Sequence, residues 1–228
     1  MDILDADHIA VLTYASDSTD TDIRPAGMLR LPSKAGMHRI AWNLRYPGPI
    51  ALEEGKSGGQ GPMAVPGTYQ VRLSIGEWTH AQSFELVMDP RIAADNVTMA
   101  DLREQFGLNT RIRDRISELR LAVRKIRSVN ESLDNVREEG GTSAERAARI
   151  SQELAKIEEA LIQTRKGKVG ANLKPMLMRQ LTYLYGMITR ADQKPGRDAH
   201  QRLQDIEVIL ERHLSDLKNV LDSDLPVL

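Results

Sequence analysis

The sequence predicts an α+β, multidomain chain: an N-terminal antiparallel β-sandwich over 1–90, a linker over 91–97, and an antiparallel α-helical bundle with a long first helix over 98–228. Two observations carry this reading. Nine of the 16 glycines and seven of the 10 prolines precede residue 97, so the first part is rich in turns. Within that part apolar residues alternate, as half-buried strands require, and beyond it they recur at steps of three and four, as one helix face requires.

The elements follow in order. "MDIL" offers about four residues of strand before the turn "DADH" and a partner strand from Ile9 to Tyr14. A strand that short implies a natural chain that continues upstream. In "HRIAWNLRYPGP" Ile40, Trp42, Leu44 and Tyr46 share one face, and Pro47 and Pro49 end the strand. Tyr69, Val71, Leu73 and Ile75 line another strand, Gly76-Glu77 reads as a two-residue hairpin turn, and "WTHAQSFELV" returns. Loops are expected at 15–36 and 47–66, and the sandwich should hold five to seven strands.

Past "MDPRIAADNV", Thr98 with Asp101 suits a capped helix start. Positions 109, 112, 116, 119, 123, 126, 130 and 133 then form a heptad seam filled by Asn, Ile, Ile, Leu, Val, Ile, Asn and Leu. Asn109 and Asn130 are buried polar candidates that set register, or alternatively line a ligand cavity. A helix from 98 to about 138 is too long to stand without partners. After Gly140-Gly141, Thr142 with Glu145 predicts a second capping box, and Ile150, Leu154, Ile157 and Leu161 the next stripe. The loop "RKGKVGANL" follows, then Pro175 in the first turn of a helix striped by Leu177, Leu181, Leu184 and Ile188. "DQKPG" turns the chain into a last helix with Leu203, Ile206, Leu210, Leu214, Leu217 and Leu221. Helices two and three together nearly match the first in length and can run end to end along it. An up-down-up-down bundle fits the short loops equally well.

Chemistry is sparse. The chain holds no cysteine, which removes disulfides, thiolate ligands and cysteine nucleophiles together. Its five histidines, 8, 38, 80, 200 and 213, lack the spacing that sets two imidazoles on one helix face, so no metal or cofactor is expected. His213, among leucines, reads as a structural histidine. "GKSGGQGP" lacks the upstream glycine of a phosphate loop and reads as a surface loop. The pairs Glu53-Glu54, Glu138-Glu139 and Glu158-Glu159 diverge by about 100° on a helix and read as solvated faces. Between 111 and 127, seven basic residues meet two acidic ones. Arginines 111, 113, 115, 120, 124 and 127 spread around the helix as flanks that pair with neighbouring acids, and no aromatic residue interleaves to stack bases. With a net charge of −1 and no run of 18 apolar residues, neither nucleic acid nor a membrane is an expected partner.

The ordered series Trp-Asn-Leu-Arg-Tyr-Pro, Pro-Gly-Thr-Tyr, Asp-Pro-Arg and Gln-Leu-Thr-Tyr-Leu, with "TMADLREQFGLNTRIRDRISEL", resembles the C-terminal region of large bacterial β-propeller proteins with sortilin-like or BNR-type repeats, often labelled glycosyl hydrolases. The resemblance runs over nearly the whole chain. It implies an Ig-like domain and a helical appendage downstream of a propeller, and full-length relatives that are exported to the periplasm or beyond. Any site behind the hydrolase label belongs to the propeller, so the label transfers to no residue here. Trp42 would be a core residue, and Trp42, Arg45 and Tyr46 candidates for an interdomain contact. The function expected is a non-enzymatic structural and interaction module that docks the propeller or self-associates. The alternatives are an accessory carbohydrate-binding module and, through the 111–127 stripe, nucleic-acid binding.

Overall fold

The computed structural model describes residues 1–16, 28–32, 34–164 and 175–224, and its fold is α+β. Much of the loop expected at 15–36, and all of "RKGKVGANL", lies outside the described residues. The chain forms two compact units. One comprises Met1–Pro49, Gly59–Arg113 and Thr189–Pro195, and the other Ile50–Gly58, Asp114–Ile188 and Gly196–Leu228.

The first unit is built on one sheet of β1 (Asp2–Leu4), β2 (Ala10–Ala15), β3 (Met28–Arg30), β4 (Gly67–Ile75) and β5 (Trp78–Leu86). The order is β3-β2-β1-β4-β5; β2 and β3 run parallel and every other pair antiparallel. The β4–β5 hairpin turns at Gly76 as its glycine requires, with φ +57° there and Ile75 opposite Trp78. Ile3, Val11, Leu12, Tyr14, Ala64 and Tyr69 form the sheet's core.

The strand expected at 38–49 is not a strand. Asn43 Oδ1 accepts the Arg45 backbone N–H (3.1 Å), Trp42 Nε1 donates to the Arg45 carbonyl (2.9 Å), and Leu44 sits at φ +58°. These local bonds make Asn43-Leu44-Arg45 an Asx-type turn that competes with a ladder and breaks the alternation. Residues from this segment still cover the sheet, but as coil: Ile40, Trp42 and Tyr46 pack against the core. Among the described residues the named strands make a single sheet, and the layer expected from a second sheet is supplied here by coil, with one isolated antiparallel bridge between Arg45 and Met63.

The stretch 91–97, expected as a linker, carries most of a short helix, α1 (Pro90–Ala94). Asp89 caps it by accepting the Arg91 N–H (2.9 Å), and Asn96, at φ +61°, stops it with the Val97 N–H returning to the Ile92 carbonyl (3.3 Å). Helix α2 (Met99–Glu139) then opens with the capping box foreseen. Thr98 N–H donates to Asp101 Oδ2 (2.9 Å), and Asp101 N–H to Thr98 Oγ1 (3.2 Å).

In the second unit, the α2 residues Ile116, Leu119, Val123, Ile126 and Leu133 are buried along the predicted seam. Helix α3 (Gly141–Leu161) buries Ile150, Leu154, Ile157 and Leu161, α4 (Leu177–Ile188) buries all four of its predicted stripe residues, and α5 (Arg197–Asn219) buries Leu203, Ile206, Leu210 and Leu217. A π-helical turn, Val220–Asp224, extends α5. Arg127 pairs with Glu158 (2.8 Å) and Ser151 Oγ donates to Asn130 Oδ1 (2.7 Å), so α3 runs antiparallel to α2. Helix α4 meets α5 near its start, where Arg202 Nη2 donates to Gln180 Oε1 (2.6 Å), and α3 meets α5 and the π-helical turn at its end, so the two lie in succession along it, the end-to-end arrangement. Two expected starts differ. Helix α3 begins at Gly141 with Gly140, φ +77°, as N-cap and no side-chain bond, which leaves Thr142 inside the helix and the Thr142–Glu145 box unmade. Pro175 lies two residues ahead of α4, where its carbonyl accepts Gln180 Nε2 (2.7 Å).

Candidate functional site

The three residues singled out for contact lie near one another but do different work. Trp42 sits edge-on to Phe84 and tilted on Tyr69, with ring centroids 6.3 and 5.3 Å away. Arg45 donates to the Gly61 carbonyl (2.9 Å), and Tyr46 meets the α2 residue Phe106 edge-on at 4.8 Å. Burial first, and then neighbouring Tyr69, push the Tyr46 phenol far above its ordinary pKa. Tyr46 and Phe106 belong to the same compact unit.

The Gly-rich excursion 47–66 is a loop with a built neck and an anchored tip. At the neck the Tyr46 N–H donates to the Pro62 carbonyl (2.9 Å) and the Ala64 N–H to the Leu44 carbonyl (2.7 Å). A Cβ on Gly48 would strike the Gly59 carbonyl, and one on Gly61 the Tyr46 and Pro47 carbonyls, so only glycine lets the two arms approach. At the tip, within the second unit, Arg120 Nη1 donates to the Ile50 (2.8 Å) and Gly58 (2.7 Å) carbonyls, Arg124 Nε to Leu52 (3.0 Å), and the Ile50 N–H to Ser117 Oγ (3.1 Å). Burial lowers the Arg120 pKa.

Two further arginines of the stripe are held by acids. Arg115 bridges Glu118 (2.7 Å), the buried Glu207 (3.0 Å) and Glu211 (3.4 Å). With Arg127 on Glu158, two of the stripe's arginines pair with acids on neighbouring helices, as the flank reading expects, while Arg120 and Arg124 hold loop carbonyls, which the sequence did not reveal.

Two other features stand out. Helix α2's Leu102, Gln105, Phe106 and Asn109, with Leu44, Ile92, Asp192 and the segments 63–66 and 86–89, enclose a pocket of about 200 Å³ inside the first unit. Gln105 is fastened to the Ala191 carbonyl (2.6 Å), but the buried Asn109 Oδ1 has no hydrogen-bond partner among the described residues. The seam pattern marked Asn109 as buried and polar; the cavity beside it depends on segments distant in sequence. The second feature is an arm. Strand β1 pairs β4 only at 70–72, so 73–75 and 78–80 pair only with each other among the described strands. Ile75 and Trp78, on the face continuous with Tyr69 and Phe84, are 66 % and 55 % exposed, and Trp78 stacks on His80 (6.0 Å).

His213 is half-buried beside Asp216 (4.0 Å), and burial lowers its imidazole pKa. Among the described residues no three His, Asp or Glu side chains gather as metal ligands, and no helix is long and apolar enough to cross a membrane. No family model, curated protein or solved structure matches the chain.

Proposed function

We propose that this chain is a non-enzymatic structural and interaction module, the C-terminal part of a larger β-propeller protein, which docks on that propeller or self-associates through the β4–β5 arm. The observation that carries the reading is the arm's edge, open among the described strands. Strand β5 is an edge strand of nine residues without Lys, Arg or Pro, the residues that ordinarily blunt an edge against pairing. Beside it Ile75 and Trp78 add apolar surface, the combination that strand addition uses: main-chain bonds for affinity and alternate side chains for specificity. The Ig-like assignment belongs to the same proposal, supported by the antiparallel β2-β1-β4-β5 core and by Trp42 packed on it. The test is the solution mass by light scattering, with titration of an isolated propeller domain of the resembling family. Association that a paired Ile75→Lys, Trp78→Lys variant abolishes is expected; a strict monomer that binds no propeller refutes the reading.

A second reading, an accessory carbohydrate-binding module, is favoured by the exposure of Trp78, since a solvent-facing indole offers a stacking platform for a sugar ring. Trp42, packed in the core, does not offer one. Trp78 fluorescence that stays unchanged across a glycan panel, with Trp78→Leu as the control, eliminates it.

A further inference from the structure

Resting on the reading of the β4–β5 arm as an interaction surface, we propose that its occupant is the β5 strand of a second copy of this chain, added antiparallel so that Gln82 lies opposite Gln82. The hairpin fixes which backbone groups are on offer. Ile75 and Trp78 flank a two-residue turn and so exchange both of their backbone bonds. Bonded and non-bonded pairs alternate from there: His80, Gln82, Phe84 and Leu86 turn their backbone toward β4, and Thr79, Ala81, Ser83 and Glu85 turn theirs outward. Two side-chain bonds agree with that phase. Thr79 Oγ1 donates to Ser74 Oγ (3.1 Å), the close approach of a non-bonded pair, and the Ser83 carbonyl lies outside the ladder, where Gln82 Nε2 reaches it (3.2 Å). An incoming strand displaces that exposed local bond. Among the described strands β5 pairs with β4 alone.

The strand complements itself in this register. Two copies related by a two-fold axis normal to the sheet meet antiparallel along β5. Centred on Gln82, all nine residues find a partner. Thr79 with Glu85 and Ala81 with Ser83, each occurring twice, make the bonded pairs and use every outward N–H and carbonyl on both edges. On the apolar face Trp78 falls opposite Leu86, and His80 opposite Phe84, of the second copy. The exposed end of each arm therefore covers the end of the other where Phe84 and Leu86 are only partly buried. Neighbouring registers fit worse. Centred on Ala81, Glu85 would face Glu77, a like-charge pair; centred on Ser83, Trp78 would run past the end of the strand to Met88. In the register proposed, the one carboxylate of β5 faces a threonine. The same nine residues supply both the exposed surface and what covers it, as an isologous contact requires.

The chain has no cysteine, so a single introduced one reports the register directly. In a non-bonded antiparallel pair the Cα atoms stand about 4.5 Å apart, within disulfide reach. Gln82→Cys should therefore give a covalent dimer under mild oxidation, while Thr79→Cys, whose twin lies about 20 Å away along the strands, should stay monomeric on a denaturing gel. Light scattering of the unaltered chain at high micromolar concentration should give twice its 25.5 kDa. Ala81→Pro removes an outward N–H and leaves the β4 ladder intact. It should keep the native circular dichroism yet raise the dissociation constant about ten-fold or more, since the two-fold doubles the loss. Gln82→Cys that oxidises to dimer no faster than Thr79→Cys, or a dimer that Ala81→Pro leaves as tight as before, would overturn the proposal. So would a chain that is monomeric at every concentration. If that monomer binds the propeller and the paired Ile75→Lys, Trp78→Lys variant does not, the docking reading stands without this proposal; if it binds none, both fall.

Discussion

Arg120 shows how single side chains organise the irregular part of this protein. One guanidinium nitrogen holds the carbonyls of Ile50 and Gly58, the two ends of a nine-residue loop tip. Arg120→Ala should therefore cost about 2 kcal/mol in urea unfolding and speed amide exchange across 50–58. Arg120→Lys should recover only part of this, because the lysine side chain is shorter and its ammonium falls short of the Nη1 position that reaches both carbonyls. Gly48→Ala and Gly61→Ala should each cost about 2 kcal/mol or more, since the added Cβ meets backbone that cannot yield. Gly55→Ala meets open space at φ +72° and should cost about 1 kcal/mol, from the left-handed conformation alone. Asp2 carries a pH signature. Burial works to raise its pKa, but bonds from Arg72 (2.8 Å) and Thr13 (2.9 Å) outweigh it and hold the carboxyl below its ordinary value. A depressed folded pKa gives stability that is present above the unfolded value, near about 3.9, and is lost as pH falls through the folded one. Acid titration of the folded midpoint should show that loss, and Asp2→Asn should lower stability at neutral pH while flattening the acid limb, leaving the share of Asp89, held down to about 2 by Arg91.

Among the elements, the helices were the most legible. The three-and-four spacing identified the buried stripe of each, because a 3.6-residue period admits one set of positions to a shared core. Leu119→Ala and Leu154→Ala, both fully buried, should each lower stability by about 3 kcal/mol in thermal denaturation, while Leu121→Ala, 47 % exposed, should change it little. The Arg115–Glu207 pair tests the bundle's polar seam. Arg115→Met should destabilise more than Glu207→Gln, because Arg115 keeps Glu118 and Glu211 when Glu207 is neutralised, whereas losing the guanidinium takes one counter-charge from all three acids. The strands were less legible. The 40-42-44-46 alternation matched a strand, but side chains at 42 and 43 take up the Arg45 carbonyl and N–H, and the pairing of this segment shrinks to one bridge against Met63. The Gly140-Gly141 start was misread for a related reason: a glycine cap with positive φ took the place that a Thr-Glu box was expected to fill.

At the scale of the whole molecule, the chain passes between its two compact units five times, so composition and packing draw different boundaries. A fragment of 98–228 would carry the bundle helices without Ile50–Gly58, and Arg120 and Arg124 would lose the carbonyls they hold. Its helical circular dichroism should melt at a lower temperature than that of the full chain; an equal midpoint would show that the loop tip contributes nothing. From the sequence alone came the α+β class, the long first helix with its seam and opening cap, the end-to-end option for α3 and α4, and the β4–β5 hairpin. Those follow from periodicity and turn chemistry, which act over a few neighbouring residues. The coil that covers the sheet, the arginines that hold the 50–58 loop, the pocket beside Asn109 and the projecting arm were decided only by the tertiary structure. Each joins segments far apart in the chain, and local spacing carries no information about which backbone carbonyl a distant guanidinium will find.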